Sequence, residues 1–176
     1  MTTFSVTKDG KILALSLYTW NEKAKTFSTN ENGLVLDFTG VDGVTFKTSD
    51  KCTFNTGSFC TFKTGSDCIF NTGFKCTFKT GSECTFNTSH SCTFNIGSHC
   101  TFKTGSNCIF EVGVNCCLIR YDVRGVTEIP AYKKIKLNDH GMAGYIFMEE
   151  KKETPTCNGK VVEIDGKQYK LTEIKK

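Results

Sequence analysis

The sequence predicts an all-β fold, a β-solenoid with about 16 residues per coil flanked by small β capping regions. Three observations point to it. Cysteine stands at every eighth residue from Cys52 to Cys116. Phenylalanine follows two places after each of these cysteines as far as Cys108. The residue after that phenylalanine alternates through Lys47, Asn55, Lys63, Asn71, Lys79 and Asn87. A fixed short period marks a repeat architecture, and the strict alternation implies two faces per coil.

Residues 1–35 read as an N-terminal β cap. Strands are expected at "FSVT", "LALSLYTW" and "TFST", with turns at "KDGK" and "NEKAK". Trp20 and Tyr18 are placed to cover the first coil, since an open solenoid end exposes strand edges.

Residues 36–117 read as the octapeptide-repeat solenoid. The units run without gaps from VTFKTSDK at residue 44 to CIFEVGVN at residue 115. "LDFTGVDG" (36–43) keeps Phe38 in register as a worn first unit, and "CCLIRYDV" (116–123) is a worn last one. Within a unit the first five residues favour a strand, and alternation puts Cys, Phe and the second Thr on one face. The first Thr and the Lys or Asn point outward. Gly57, Gly65, Gly73, Gly81, Gly97, Gly105 and Gly113 follow the strand, where a left-handed backbone is expected to require them. Ser89 departs from that rule, so its turn is expected to be the odd one.

Two units per coil give a flattened two-sheet solenoid, and three units give a triangular one. The Lys/Asn alternation favours two. Phe54, Phe70, Phe86 and Phe102 then form one internal ladder, and Phe46, Phe62, Phe78, Phe94 and Phe110 the other. Each buried Phe is worth roughly 1.5–3 kcal/mol. No unit can bury its own Phe, so the array is stable only when neighbours stack. At a strand spacing of about 4.8 Å, four and a half coils would make a rod of roughly 22 Å.

The same geometry accounts for Cys52, Cys60, Cys68, Cys76, Cys84, Cys92, Cys100 and Cys108. Phe faces Phe across the coil, and each Cys faces a small Thr rather than another Cys. Free, buried thiols acting as small hydrophobes are the preferred reading. A disulfide ladder and metal binding are the alternatives, although no C-x₂-C pair with His or Cys partners exists. His90 and His99 fall at turn positions and read as surface histidines. Cys116-Cys117 could serve as a nucleophile or redox pair, but adjacent cysteines at the end of a repeat read more simply as core residues.

Residues 118–176 read as a C-terminal β-rich domain. "VVEIDGKQYKLTEI" is a hairpin candidate around Asp165-Gly166, and "ETPTCNGK" (153–160) resembles a loop. No long helix is expected anywhere. No signal peptide is seen, and no run approaches the roughly 18 apolar residues of a membrane span.

Two regular outward faces remain. One displays Thr53, Asn55, Asn71, Thr85 and Asn87. The other displays Lys47, Lys63 and Lys79, a candidate ladder for a polyanion. No nucleophile elbow, P-loop, zinc-protease or dinucleotide motif occurs, and no metal or cofactor is expected. Asp67, Glu83 and Glu111 stand at turn or surface positions with no partner carboxylate that would make a catalytic pair.

The units "CTFNTGSF" and "CTFKTGSD", with the lead-in "SLYTWNEKAKTFSTNENGLVLDF", resemble octapeptide-repeat proteins of bacteriophages and large DNA viruses. The resemblance spans roughly residues 12–117 and departs from the pattern at Val44, Ser89 and Ile96. It implies a β-solenoid of viral origin and supplies no catalytic residues. The expected function is non-enzymatic and structural: a rigid spacer, fibre or decoration element of a virion. The expected partners are other virion proteins, or further copies of the chain joined through the end domains, in the virion or host cytoplasm. Nucleic acid is possible but not favoured, and a membrane is not expected. The alternative is a soluble module whose Thr/Asn/Lys face engages a polyanion or ice, as an inhibitor of a host system.

Overall fold

The computed structural model describes residues 2–148, 161–165 and 167–170. Its strands form two nine-stranded sheets and one two-stranded sheet. The stacked coils contain about 16 residues each and make about six turns of a β-solenoid.

The first sheet is built around six parallel strands: β5 (Leu34–Phe38), β7 (Thr53–Thr56), β9 (Ile69–Asn71), β11 (Thr85–Asn87), β13 (Thr101–Thr104) and β15 (Cys117–Arg120). The second contains β4 (Thr26–Ser28), β6 (Thr45–Lys47), β8 (Thr61–Lys63), β10 (Thr77–Thr80), β12 (Thr93–Ile96) and β14 (Ile109–Val112). Consecutive repeat strands therefore alternate between sheets, as the Lys/Asn alternation predicts.

Antiparallel strands close the ends. In the first sheet β1 (Ser5–Lys8) pairs with β5 and continues into β2 (Lys11–Ile12), while β16 (Val126–Glu128) pairs with β15. In the second, β3 (Thr19–Asn21) pairs with β4, and β17 (Ile135–Leu137) lies between β14 and β18 (Tyr145–Phe147). Nine strands at about 4.8 Å give each sheet a height of roughly 40 Å, well beyond the expected 22 Å.

The extra length has a specific origin. Parallel stacking starts at β4 and β5, ahead of residue 44, with Phe27 opposite Phe46 and Leu36 opposite Phe54. Phe38 is therefore two places out of the expected register and lies beside Thr56. It still faces inward and packs edge-on against Phe46 at 5.0 Å. "LALSLYTW" also differs from expectation: Leu15–Leu17 form a short 3₁₀ turn before β3. Phe4 stacks on Phe38 at 4.3 Å, Tyr18 stacks on Phe27 at 5.1 Å, and Trp20 lies 5.7 Å from Phe38. These rings cover the first coil. β19 (Val161–Ile164) and β20 (Lys167–Lys170) form the expected hairpin, with Ile164 opposite Lys167. The loop expected at 153–160 lies outside the described residues.

The two phenylalanine ladders fill the core. Rings one coil apart are nearly parallel, as in Phe54–Phe70 (5.0 Å, 1°) and Phe62–Phe78 (4.9 Å, 4°). Rings facing each other across the coil meet edge to face, as in Phe62–Phe70 (5.2 Å, 75°). Both are favourable arrangements for the ring quadrupole. Leu36 and Leu118 end the first ladder, and Phe27 and Ile135 end the second.

The turns correct the role expected of glycine. The last residue of every unit, from Lys51 to Asn115, is the left-handed one, with φ between 54° and 60°. The repeat glycines are not left-handed. They are needed for close approach of one coil to the next: a Cβ on Gly81 would collide with Ser66 Oγ and lie 3.0 Å from Ser66 N. That serine hydroxyl accepts a hydrogen bond from Ser82 N at 3.1 Å. The motif repeats along this edge, Ser98 N donating to Ser82 Oγ (3.0 Å) and Val114 N to Ser98 Oγ (3.1 Å). Ser89 fills the glycine position in one coil, where the residue fifteen places earlier is Phe74 instead of serine. It too keeps an ordinary backbone.

The two positions are thus expected to respond in opposite ways. Gly81→Ala should cost about 1–3 kcal/mol through overpacking. Glu83→Gly removes a left-handed penalty of about 1–2 kcal/mol, offset by glycine's entropy cost of about 1 kcal/mol, and should be near neutral. Denaturant unfolding of the two variants measures the contrast. Equal losses would mean that the turn geometry is wrong.

Candidate binding faces and the cysteine ladders

Strand pairing sets the two outward rows. Lys47, Lys63 and Lys79 lie directly opposite one another on β6, β8 and β10, followed by Asn95 and Glu111. All three lysines are exposed. Among the described residues, none of them belongs to an ion pair. The ladder foreseen from the sequence is therefore brought together as a short cationic strip.

On the opposite sheet the row runs Asp37, Asn55, Asn71, Asn87 and Lys103. The asparagines bond along the axis, Asn71 Nδ2 donating to Asn55 Oδ1 at 2.9 Å and Asn87 Nδ2 to Asn71 Oδ1 at 3.5 Å. Thr53 and Thr85 stand two residues before Asn55 and Asn87, but Ile69, 44% exposed, lies between them. The threonine row is therefore interrupted. Beside the asparagines runs a groove of about 620 Å³, lined also by Thr39 and Tyr121. The Tyr121 hydroxyl donates to Asn87 Oδ1, and Lys103 Nζ lies 5.3 Å from the Tyr121 ring centre. The asparagines were legible from the sequence. Tyr121 was not, because it arrives from the worn last unit, 34 residues beyond Asn87.

All eight inner repeat cysteines are free thiols and buried. Each lies against carbonyl oxygens of the turns, as Cys68 does with Ser66 O (3.3 Å) and Ser49 O (3.7 Å). The expected Cys–Thr juxtaposition appears across the turn: Thr104 Oγ1 is 3.1 Å from Cys108 Sγ. Cys116 ends one ladder and is only partly buried. Coupling to the Cys100 thiol of the next coil pulls its pKa below that of an ordinary thiol, against the opposing effect of burial. Cys116 immediately precedes β15 and Cys117 opens it, both only partly buried. Cys157 lies outside the described residues.

Native alkylation is accordingly expected to label Cys116 and Cys117 while sparing Cys52 to Cys108. Denaturation without reductant should expose all of them. Because its pKa is held below that of an ordinary thiol, Cys116 should keep its labelling rate to lower pH than a free cysteine would, the thiolate being the nucleophile. Peptide mass spectrometry reads each site. A fraction that reacts only after reduction would establish a disulfide ladder instead.

A further cluster carried no sequence signal. Arg120 and Asp122 form a buried ion pair at 2.6 Å, their side chains 2% and 4% exposed. Arg120 also donates to Met142 O (2.7 Å) and Asp139 O (3.1 Å), and Gly141 N donates to Asp122 Oδ2 at 2.8 Å. The exposed His140 lies 3.4 Å from the same carboxylate. The pair ties the 138–144 loop to β15.

His90 and His99 are exposed at the turns, as expected. Among the described residues, no group of three or more His, Cys, Asp and Glu side chains is placed to hold a metal ion. No described helix is long and apolar enough to cross a membrane. No family model, curated protein or solved structure matches the chain.

Proposed function

We propose that the protein is a non-enzymatic structural rod, acting as a rigid spacer, fibre or decoration element. The resemblance of its octapeptides to those of phage and large DNA virus proteins makes a virus particle the proposed setting. The observation that carries the reading is the unbroken parallel register from β4 and β5 to β14 and β15. Stacking of this kind sets length and stiffness through the number of coils. The irregular ends support a role in attachment. Val126 (65% exposed), Tyr132 (73%) and Phe147 (60%) place apolar surface near the C-terminal end, and aromatic residues are favoured interface anchors.

The in-register lysines support a second reading, a module that engages a polyanion through β6, β8 and β10. One experiment separates the two. Deleting residues 60–75 removes one coil while keeping register, and should shorten the rod by about 4.8 Å without loss of particle association. Replacing the exposed Val126, Tyr132 and Phe147 together with serine leaves the buried ladders of both nine-stranded sheets untouched and should weaken that association. Co-purification with particles, with dimensions from electron microscopy, supplies the readout. If the coil deletion abolishes association and the triple substitution does not, the faces carry the function. Lys63→Ala combined with Lys79→Ala would then be expected to abolish salt-dependent polyanion binding.

A further inference from the structure

The groove beside the asparagine row has a chemistry distinct from the lysine face. Its lining side chains are uncharged. The floor offers an amide once per coil, in Asn55, Asn71 and Asn87. A carboxamide has two N–H donors and two acceptor lone pairs. The axial bonds use one N–H each of Asn71 and Asn87 and one lone pair each of Asn55 and Asn71, and the Tyr121 hydroxyl takes one lone pair of Asn87. Each amide keeps at least one N–H and one lone pair for a ligand, at the strand spacing of about 4.8 Å. Tyr121, 52% exposed, closes the C-terminal end with an aromatic ring, and Thr39 stands at the other end.

Each feature narrows the occupant. A polyanion would meet amide oxygens here and no cation in the lining; the nearest one on this row, Lys103, lies over the Tyr121 ring. An added peptide strand needs a free sheet edge. The groove instead lies on the face of β7, β9 and β11, whose main chains are already paired on both sides. A flexible apolar chain would leave the amides without partners, at a desolvation cost. A linear run of neutral hydroxyl groups satisfies the amides repeatedly, and a sugar ring presents a C–H face that suits the aromatic end.

We propose that this groove binds a neutral linear oligosaccharide lying along the solenoid axis, with Asn55, Asn71 and Asn87 hydrogen-bonding successive sugar hydroxyls and Tyr121 packing against a terminal ring. The rod would then carry a glycan-recognition face in addition to its structural role.

The test uses the full chain with cellohexaose, chitohexaose and maltohexaose as neutral probes and a heparin-derived hexasaccharide as the charged comparison. Titrations are followed by ¹⁵N-resolved NMR of the asparagine side-chain amides and by calorimetry. At least one neutral probe should shift the amides of Asn55, Asn71 and Asn87, with little dependence on salt. Asn71→Ala and Tyr121→Ala should each weaken binding by about tenfold or more, with unchanged far-UV circular dichroism and a cooperative unfolding transition well above the titration temperature. Lys47→Ala, Lys63→Ala and Lys79→Ala should leave it unchanged. Failure of all three neutral probes at millimolar concentration overturns the proposal. So does binding that survives Asn71→Ala and Tyr121→Ala together. Salt-sensitive binding of the charged probe alone also overturns it and assigns recognition to the lysine face.

Discussion

Phe78→Ala is expected to cost about 3–5 kcal/mol of unfolding free energy, among the largest losses available to a single truncation in this chain. Phe78 lies at the middle of its ladder, stacked between Phe62 (4.9 Å) and Phe94 (5.0 Å). Across the coil it meets the edges of Phe70 (5.3 Å) and Phe86 (5.1 Å). Four rings therefore border the cavity left by the substitution. Neither neighbouring coil can collapse into it, because backbone hydrogen bonds to β8 and β12 hold the coil spacing. Equilibrium denaturation measures the loss. Phe110→Ala provides the comparison, since the ladder continues from there into Ile135, a residue on an antiparallel capping strand with more scope to adjust. A cost below about 1 kcal/mol at Phe78 would mean that the ladder is not a continuous core.

The body of this fold was written plainly in the chain because its period is local. Cys, Phe and Thr at fixed offsets set which residues face inward, and the Lys/Asn alternation separates the sheets. The first two coils were harder to read. Phe27 to Phe46 spans 19 residues and Leu36 to Phe54 spans 18, so longer turns absorb the difference and hide the strands from a gapless period. Glycine was assigned the wrong physical task for a related reason. Its need arises between coils, from Ser66 lying against Gly81, whereas the left-handed position is filled by residues as different as Phe59, Glu83 and Asn115. A position without a compositional preference carries no turn signal. The candidate sites divide in the same way. The lysines and asparagines are periodic and could be placed in rows. Tyr121 reaches Asn87, and Arg120 reaches Asp139 and Met142, through single long-range contacts.

Asp122→Ala is expected to cost about 3–5 kcal/mol within the C-terminal cap, because it leaves the Arg120 guanidinium buried without its carboxylate. The geometry is bidentate: Nε donates to Oδ1 at 3.0 Å and Nη2 to Oδ2 at 2.6 Å. Arg120 would retain only the two carbonyls of the 138–144 loop, and Gly141 N would lose its acceptor. The Arg120 hydrogen bond holds the Asp122 pKa down to about 2, against the opposing effect of burial. An unfolded aspartate titrates near 3.9. A lowered native pKa means that the stabilisation is complete above the unfolded value and is lost as pH falls through about 2. The protection factors of the β15 and β16 amides, which remove the intrinsic pH dependence of exchange, should therefore fall in the wild type between about pH 4 and pH 2. In Asp122→Asn they should already be low at neutral pH and change less over that window. A charge-free replacement, Arg120→Met with Asp122→Leu, separates the cost of an orphaned charge from the value of the pair. Replacing both partners of a buried ion pair is often neutral or better, so the double variant should recover most of the loss in Asp122→Ala. If it is as unstable as Asp122→Ala, the cap depends on the hydrogen bonds from Arg120 to Asp139 and Met142 themselves, and these are what hold the 138–144 loop against β15.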